Sequence, residues 1–371
     1  MTLLGNRDTR DNVVLTGIDA ALLDKYRLSD GTTYDQVVQM ANAALTGFNG
    51  GLLNDPFWSM MVSYTDQPET RYNVGNSADM VAHTEYGRPD PSRAEMAGHM
   101  LPLKKWDHML GWTADYLEEA RLSDLEADVA MALEAASNRW RKSLLQRGIK
   151  RIDESGATNG LSATGLSPGF ATTAGSTGVD FVPPTFGGTT FANTHEHYVP
   201  LTGGAFTNAV FTDARDELRE HGHDGELEFI IGPSDESVVS ALTDFVPVNE
   251  LLINQSILSA TTTFNGQGIN GKRPIGAISS FRVWVVPGMP QYYGFGWKSY
   301  GRNSVRNPLR IRLPQGETAP RLRMFRDNNN PGIYAIQNLM TQMQFGVGVG
   351  DRTNGTGRYV NNSSWSDGVA A

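Results

Sequence analysis

Four of the seven histidines fall in two H-x-H pairs, His195/His197 in FANTHEHYVP and His221/His223 in REHGHDG. On an extended segment alternate side chains project to one face, so two such pairs could meet as an imidazole cluster of the kind that zinc accepts. Glu196 would then point the other way, which removes the obvious base for activating a bound water. The alternative is that His221 and His223 end a helix, where positive charge is favoured, while His195 and His197 sit in a polar interface. On this pattern no catalytic, cofactor-binding or metal-ligating residue is assigned, and no cofactor is expected.

The run Gly266 to Lys272, GQGINGK, has the spacing of a dinucleotide fingerprint and nearly that of a phosphate-binding loop. Arg273 stands where such a loop needs Ser or Thr for magnesium, and Pro274 obstructs the helix whose N-terminus would meet the phosphates. A Gly-rich hairpin is expected there instead. No H-E-x-x-H motif is present. The carboxylate pairs Glu118/Glu119 and Asp235/Glu236 lie where helix first turns or solvated faces want them. Arg302, Arg306, Arg310, Arg312, Arg321, Arg323 and Arg326 form the one distinctly basic stretch, interleaved with Leu309, Ile311 and Leu313. That alternation predicts strands with one charged face, suited to acidic surfaces of neighbouring subunits more than to DNA.

The elements that must position these residues are set by a chain of 371 residues, 39% hydrophobic and 19% charged, with 40 Gly and 18 Pro. Such a chain buries real cores but spends much of its length in turns and β segments. A formal charge of -9 argues against a protein whose main task is neutralising phosphates. With no cysteine, disulfides, thiolate metal sites and cysteine nucleophiles are excluded. The start, MTLLGNRDTRDNVV, lacks the apolar core of a secretion signal, and no apolar run reaches membrane-spanning length, so a soluble protein made in the cytoplasm is expected.

Apolar spacing predicts a helix over Tyr34 to Leu45, followed by a turn-rich Thr46 to Pro56. From Tyr64 to Trp106 the chain is polar and rich in Pro and Gly, with strand-like pieces at Arg71 to Val74 and Met80 to Glu85. A segment of that length without a core of its own is disordered or functional. The clearest helix runs over 122–147, with Ser123 and Glu126 as a capping box and Gly148 placed to stop it. Residues 153–190, rich in Gly, Ser and Thr, predict a projecting hairpin or surface loop and not a folding core. A second helix, Asn208 to His221, presents Val210, Phe211, Ala214 and Leu218 on one face. Leu227 to Gly232 then reads as a buried strand and Ser234 to Leu242 as a short helix. The end is strand and turn. In FGVGVG, Phe345, Val347 and Val349 share a face while Gly346, Gly348 and Gly350 leave the other open to another backbone. The fold class is α+β.

In order and texture, the chain resembles the major capsid proteins of tailed double-stranded DNA bacteriophages with the Hong Kong 97-like fold. The phrase LGWTADYLEEARLSDLEADVAMALEAASNRWRKSLLQRG, Leu110 to Gly148, resembles the family's short acidic helix leading into a spine helix. The terminal VWVVPGMP and FGVGVGDRTNG resemble its returning strands. The resemblance implies an N-terminal arm (1–64), an extended loop (65–106), a peripheral domain (107–225, completed by 336–371) holding the spine helix 122–147 and the insertion 153–190, and an axial domain (226–335). It implies a subunit that is no enzyme, that self-assembles into homopentamers and homohexamers of an icosahedral head enclosing DNA without sequence-specific binding, and that is found in the virion capsid. A separate scaffold, a portal and decoration proteins are the implied partners, with no membrane. Competing readings are an encapsulin-like nanocompartment shell, a metal-dependent hydrolase using His195, His197, His221 and His223, and a tail or tube protein.

Overall fold

The computed structural model describes residues 27–74, 95–152, 154–158, 161–171, 181–248, 272–327 and 337–370. Met80 to Glu85 and residues 266–271, for which a strand and a hairpin are expected, lie outside them. In chain order the helices are α1 (Tyr34–Leu53), α2 (Pro56–Ser59), α3 (Ala114–Glu119), α4 (Leu122–Ile149), α5 (Asn208–Arg219) and α6 (Glu236–Ser240). The strands are β1 (Val62–Thr65), β2 (Glu69–Val74), β3 (Glu95–Met100), β4 (Lys104–Trp112), β5 (Glu154–Thr158), β6 (Leu161–Leu166), β7 (Tyr198–Pro200), β8 (Leu227–Ile231) and β9 (Val246–Pro247). They continue with β10 (Arg273–Ile278), β11 (Phe281–Val285), β12 (Tyr293–Lys298), β13 (Leu309–Arg312), β14 (Leu322–Asp327), β15 (Gln337–Val349) and β16 (Thr356–Tyr359). Two compact units share them. One comprises Met1–Asp55, Leu103–Arg141 and Leu313–Phe345, the other Pro56–Pro102, Lys142–Arg312 and Gly346–Ala371.

In the first unit β4 and β14 flank the leading part of β15, both antiparallel to it. Thr33 and Gln36 form a reciprocal capping box at the start of α1. Val37, Ala41 and Leu45 are its buried stripe, as the spacing predicts. The helix does not stop at Leu45 but runs through the expected turn to Leu53. Its glycines are carried along because Asn49 bonds both backbone groups of Leu322 on β14, donating at 3.1 Å and accepting at 2.8 Å. Such a pairing satisfies a strand edge that would otherwise be open.

The spine helix α4 forms as expected, with its cap two residues earlier than Ser123. Asp124 accepts from the Arg121 backbone N–H and Asp30 from that of Leu122, each at 2.9 Å, and Ser123 is exposed within the first turn. Leu125, Val129, Ala132 and Trp140 are buried, Trp140 edge-on to Phe345 at 4.9 Å. Arg139 stacks 3.4 Å above the Trp106 ring. A pocket of about 170 Å³ remains among Trp106, Ala132, Arg139, Met343 and Phe345.

The second unit is organised by a seven-stranded sheet in the order β7-β16-β12-β8-β11-β10-β9. Helix α5 covers it with the four residues its periodicity selects, Val210, Phe211, Ala214 and Leu218, all buried. They join Phe206, Leu227, Phe229, Ile231, Phe281, Val283 and Val360 in one apolar cluster. Every residue of β8 is buried, as expected for a strand covered on both faces. Residues 346–349 of β15 pair with β13, which pairs in parallel with β1. The predicted close approach of another backbone occurs at Gly350, where a Cβ would lie 2.8 Å from the Asn307 carbonyl oxygen, whereas the space at Gly348 is filled by side chains, Leu101 at 2.4 Å and the Ser167 hydroxyl at 2.7 Å. The expected loop 65–106 contributes the hairpin β2/β3.

Three expectations fail in this unit. Gly148 does not end α4, which reaches Ile149 with Gly148 against the Phe295 ring. The Gly/Ser/Thr-rich segment is not all projection: Leu166, Phe170, Ala171 and Phe181 are buried. Buried Arg147 draws that segment in by donating to the carbonyls of Ser167, Lys150 and Ile152. Arg352 adds a bond to the Gly169 carbonyl and lies 4.3 Å over the Phe181 ring. Nor is the charged side of β13 open to a neighbouring subunit. Arg312 is buried and donates to the Leu101 carbonyl at 2.8 Å, and Arg310 donates to Ser63, because neighbouring segments cover both sides of the strand.

Candidate metal centre

The two histidine pairs converge in the second unit, but only three of the four imidazoles meet. His195 and His197 lie in the irregular stretch just before β7, not on a strand, and still project to one side. Glu196 points away and pairs with Arg151, as the alternation predicts. His221 follows the end of α5. The Nε2 atoms of the three are 3.1 Å (His195 to His197), 2.9 Å (His195 to His221) and 3.0 Å (His197 to His221) apart.

His223, expected in the same cluster, is elsewhere. Gly222 between the pair has φ +80°, a conformation that glycine adopts without strain, and it turns the chain so that the two rings diverge. His223 bonds the Tyr300 hydroxyl at 2.8 Å and the Thr353 hydroxyl at 2.9 Å. Burial pulls its pKa down to about 4.

Glu220 takes the vacated place. Its Oε1 is 3.2 Å from His195 Nε2 and 3.8 Å from His221 Nε2, and the four donor atoms lie within 4.8 Å of one another. Sequence reasoning missed this residue, although its position next to His221 at a helix end was the available signal. Phe191 walls the site, its ring 4.3 Å from that of His221 and 5.0 Å from that of His195. Glu217 is engaged by Arg358 at 2.8 Å and by Thr356.

Burial and the neighbouring imidazoles keep these histidines neutral. Burial, then the charge of His195, holds His197 well below its ordinary value. Burial, then His197 and His195, takes His221 down to about 2. Burial lowers His195 as well, and burial, then Glu217, raises the Glu220 carboxyl. Neutral imidazoles are metal donors, and three of them with one carboxylate form a set that first-row divalent ions accept.

The other sequence-selected residues do not join this site. Lys272, the described end of the Gly-rich run, is buried with its ammonium 4.8 Å over the Trp58 ring. In the arginine stretch, Arg306 stacks on Tyr300 at 4.0 Å and Arg323 pairs with Glu317. Asp235 is buried and accepts from the Tyr292 N–H at 3.0 Å, while Glu236 pairs with Arg273.

Neither a family model nor a curated protein matches the sequence. Solved structures do match the fold. One from Mycobacterium phage Patience superimposes with a TM-score of 0.64 and 15% identity, covering 93% of this chain and 92% of that one. Looser likenesses are the mature capsid of bacteriophage PhiM1 (TM-score 0.47, 11% identity, 82% of this chain and 87% of that one) and the capsid of a native GTA particle (0.48, 13%, 82% and 89%). The fold is thus the Hong Kong 97-like α+β fold expected from the sequence. Among the described residues no helix is long and apolar enough to cross a membrane.

Proposed function

We propose that this chain is the major capsid protein of a tailed phage, a structural subunit that assembles with copies of itself into pentamers and hexamers around double-stranded DNA. The observation that carries the reading is the agreement with the Mycobacterium phage Patience structure over 93% of the chain, so that one shell fold accounts for nearly the whole molecule. The net charge of -9 fits a wall that encloses DNA without gripping it.

Residues 1–64 then serve as the arm and 65–106 as the extended loop, which the β2/β3 hairpin supports. Residues 107–225 and 336–371 make the peripheral domain around α4. Residues 226–335 make the axial domain, whose β8, β10, β11 and β12 lie in one sheet together with β7 and β16 of the peripheral segments. Assembly rests on many repeated contacts between subunits, to which exposed apolar side chains such as Met109 and Met131 are suited. Scaffold, portal and decoration proteins are the partners this role calls for, and the virion capsid is its location. The hydrolase reading loses support at the histidines, since Glu196 and Glu217 are each held by an arginine.

Negative-stain electron microscopy of the full chain, expressed with and without neighbouring structural gene products, tests the proposal. Capsomer rings or DNA-competent polyhedra are expected. Closed particles packed with protein cargo would favour a nanocompartment, open tubes a tail protein, and a uniform monomer under every condition would overturn the shell reading.

A further inference from the structure

The three imidazoles cannot satisfy one another with the protons they have. His197 Nδ1 lies 2.7 Å from the Gly355 carbonyl, which can only accept, so the ring proton is on Nδ1 and Nε2 is a bare lone pair. His195 and His221 can bring at most one Nε2 proton each to three Nε2···Nε2 contacts of 2.9–3.1 Å. At least one contact then holds no hydrogen bond: it sets lone pair against lone pair or, if both rings carry the Nε2 proton, N–H against N–H. His221 Nδ1, moreover, is buried with no hydrogen-bond partner among the described residues, so neither tautomer of that ring is satisfied.

A cation at the centre removes the conflict. Nitrogens bound to one zinc ion at about 2.0–2.1 Å in a tetrahedron are about 3.3 Å apart, close to the observed triangle. An ion at that distance from all three would sit about 1 Å out of their plane. The His197 N–H to Gly355 carbonyl bond is the outer-shell contact that fixes a ligand's tautomer and aim.

We propose that His195, His197 and His221, with Glu220 as fourth ligand, bind one zinc-class divalent ion that staples the segment before β7 to the end of α5. The four protein donors close the coordination shell, as in structural rather than catalytic sites. The segment needs such an anchor. Between Phe181 and His197 the backbone is tied by the Phe186/Thr189 bridge, which is internal to the segment, and by the His197 carbonyl accepting from the Gly357 N–H at 2.8 Å, and the chain has no cysteine for a disulfide. Through His197 the ion also bears on the turn before β16.

The test uses the full-length protein. After purification and dialysis against metal-free buffer, about one zinc per chain is expected by elemental analysis. Stripping with a chelator should lower the melting temperature by several degrees, and Zn²⁺ but not Mg²⁺ should restore it. Reloading the stripped protein with Co²⁺ should give the visible ligand-field absorption of a low-symmetry N₃O site. H195A and H221A should lose the metal while H223A keeps it. A wild-type chain that retains no zinc and whose melting temperature is unmoved by chelator and Zn²⁺ would overturn the proposal even if the variants fail to fold. Full zinc content in H195A or H221A would overturn it equally.

Discussion

The two compact units solve the same problem, a helix laid on a sheet, with different completeness. In the second, α5 is short, its four apolar side chains are all buried, and they meet an apolar cluster that includes Phe206, Phe229 and Phe281. In the first, α4 is long, and along its leading part buried Leu125, Val129 and Trp140 alternate with exposed side chains that include Met131 at 51% exposure. That unit also leaves Met109 exposed on β4 and an open pocket beside Trp106. The difference teaches where stability and association reside. Helix α5 is closed by side chains of its own unit, while the leading part of α4 keeps Met131 open; elsewhere both units expose apolar side chains, Met100, Phe186 and Val305 among them in the second.

The comparison breaks first at Phe229. Phe229→Ala empties the middle of the closed core and should cost about 3–5 kcal/mol in denaturant unfolding. A loss under about 1 kcal/mol would mean the core is looser than described. Next is the buried Glu217–Arg358 pair: Glu217→Ala strands a guanidinium that is 1% exposed and should cost about 3 kcal/mol by the same measurement.

Glu228 sharpens the contrast through pH. Burial lifts its carboxyl to about 7, against the pull of Arg282 and the Trp284 N–H. A carboxyl raised in the folded state from 4.5 supports stability that is full below about 4.5 and lost as pH rises through about 7. E228Q should therefore match wild type near pH 4 and exceed it above pH 7 by at most about 3 kcal/mol, read from melting curves across pH. The smallest effect on folding belongs to the exposed side of α4. Met131→Ser should change stability by less than about 0.5 kcal/mol yet reduce particle yield in electron microscopy.

Where a residue's neighbours are near in sequence, the sequence was readable. The burial of Val210, Phe211, Ala214 and Leu218 followed from spacing, as did the fully covered Leu227–Ile231 strand and the close backbone approach at Gly350. What stayed hidden depends on partners far along the chain. Nothing in Thr46 to Leu53 says helix until Asn49 finds Leu322, and nothing in the Gly/Ser/Thr-rich segment says core until Arg147 and Arg352 take its carbonyls. The histidine site was half visible: the spacing of His195 and His197 aimed them correctly. The positive φ of Gly222, which removes His223 and leaves the place to Glu220, is a backbone property that H-G-H permits without announcing it.

The register of the long strand β15 sets a clock on synthesis. Trp112 pairs with Gln337, about 225 residues later, and Val62 pairs with Leu309 at a comparable separation. At about 5–20 residues per second, β4 emerges some 10–45 s before its partner and must stay unpaired for that interval. A truncated or unfinished chain therefore lacks the strand that both β4 and β13 require. Completion of translation then acts as a quality gate, since only finished chains can form both pairings.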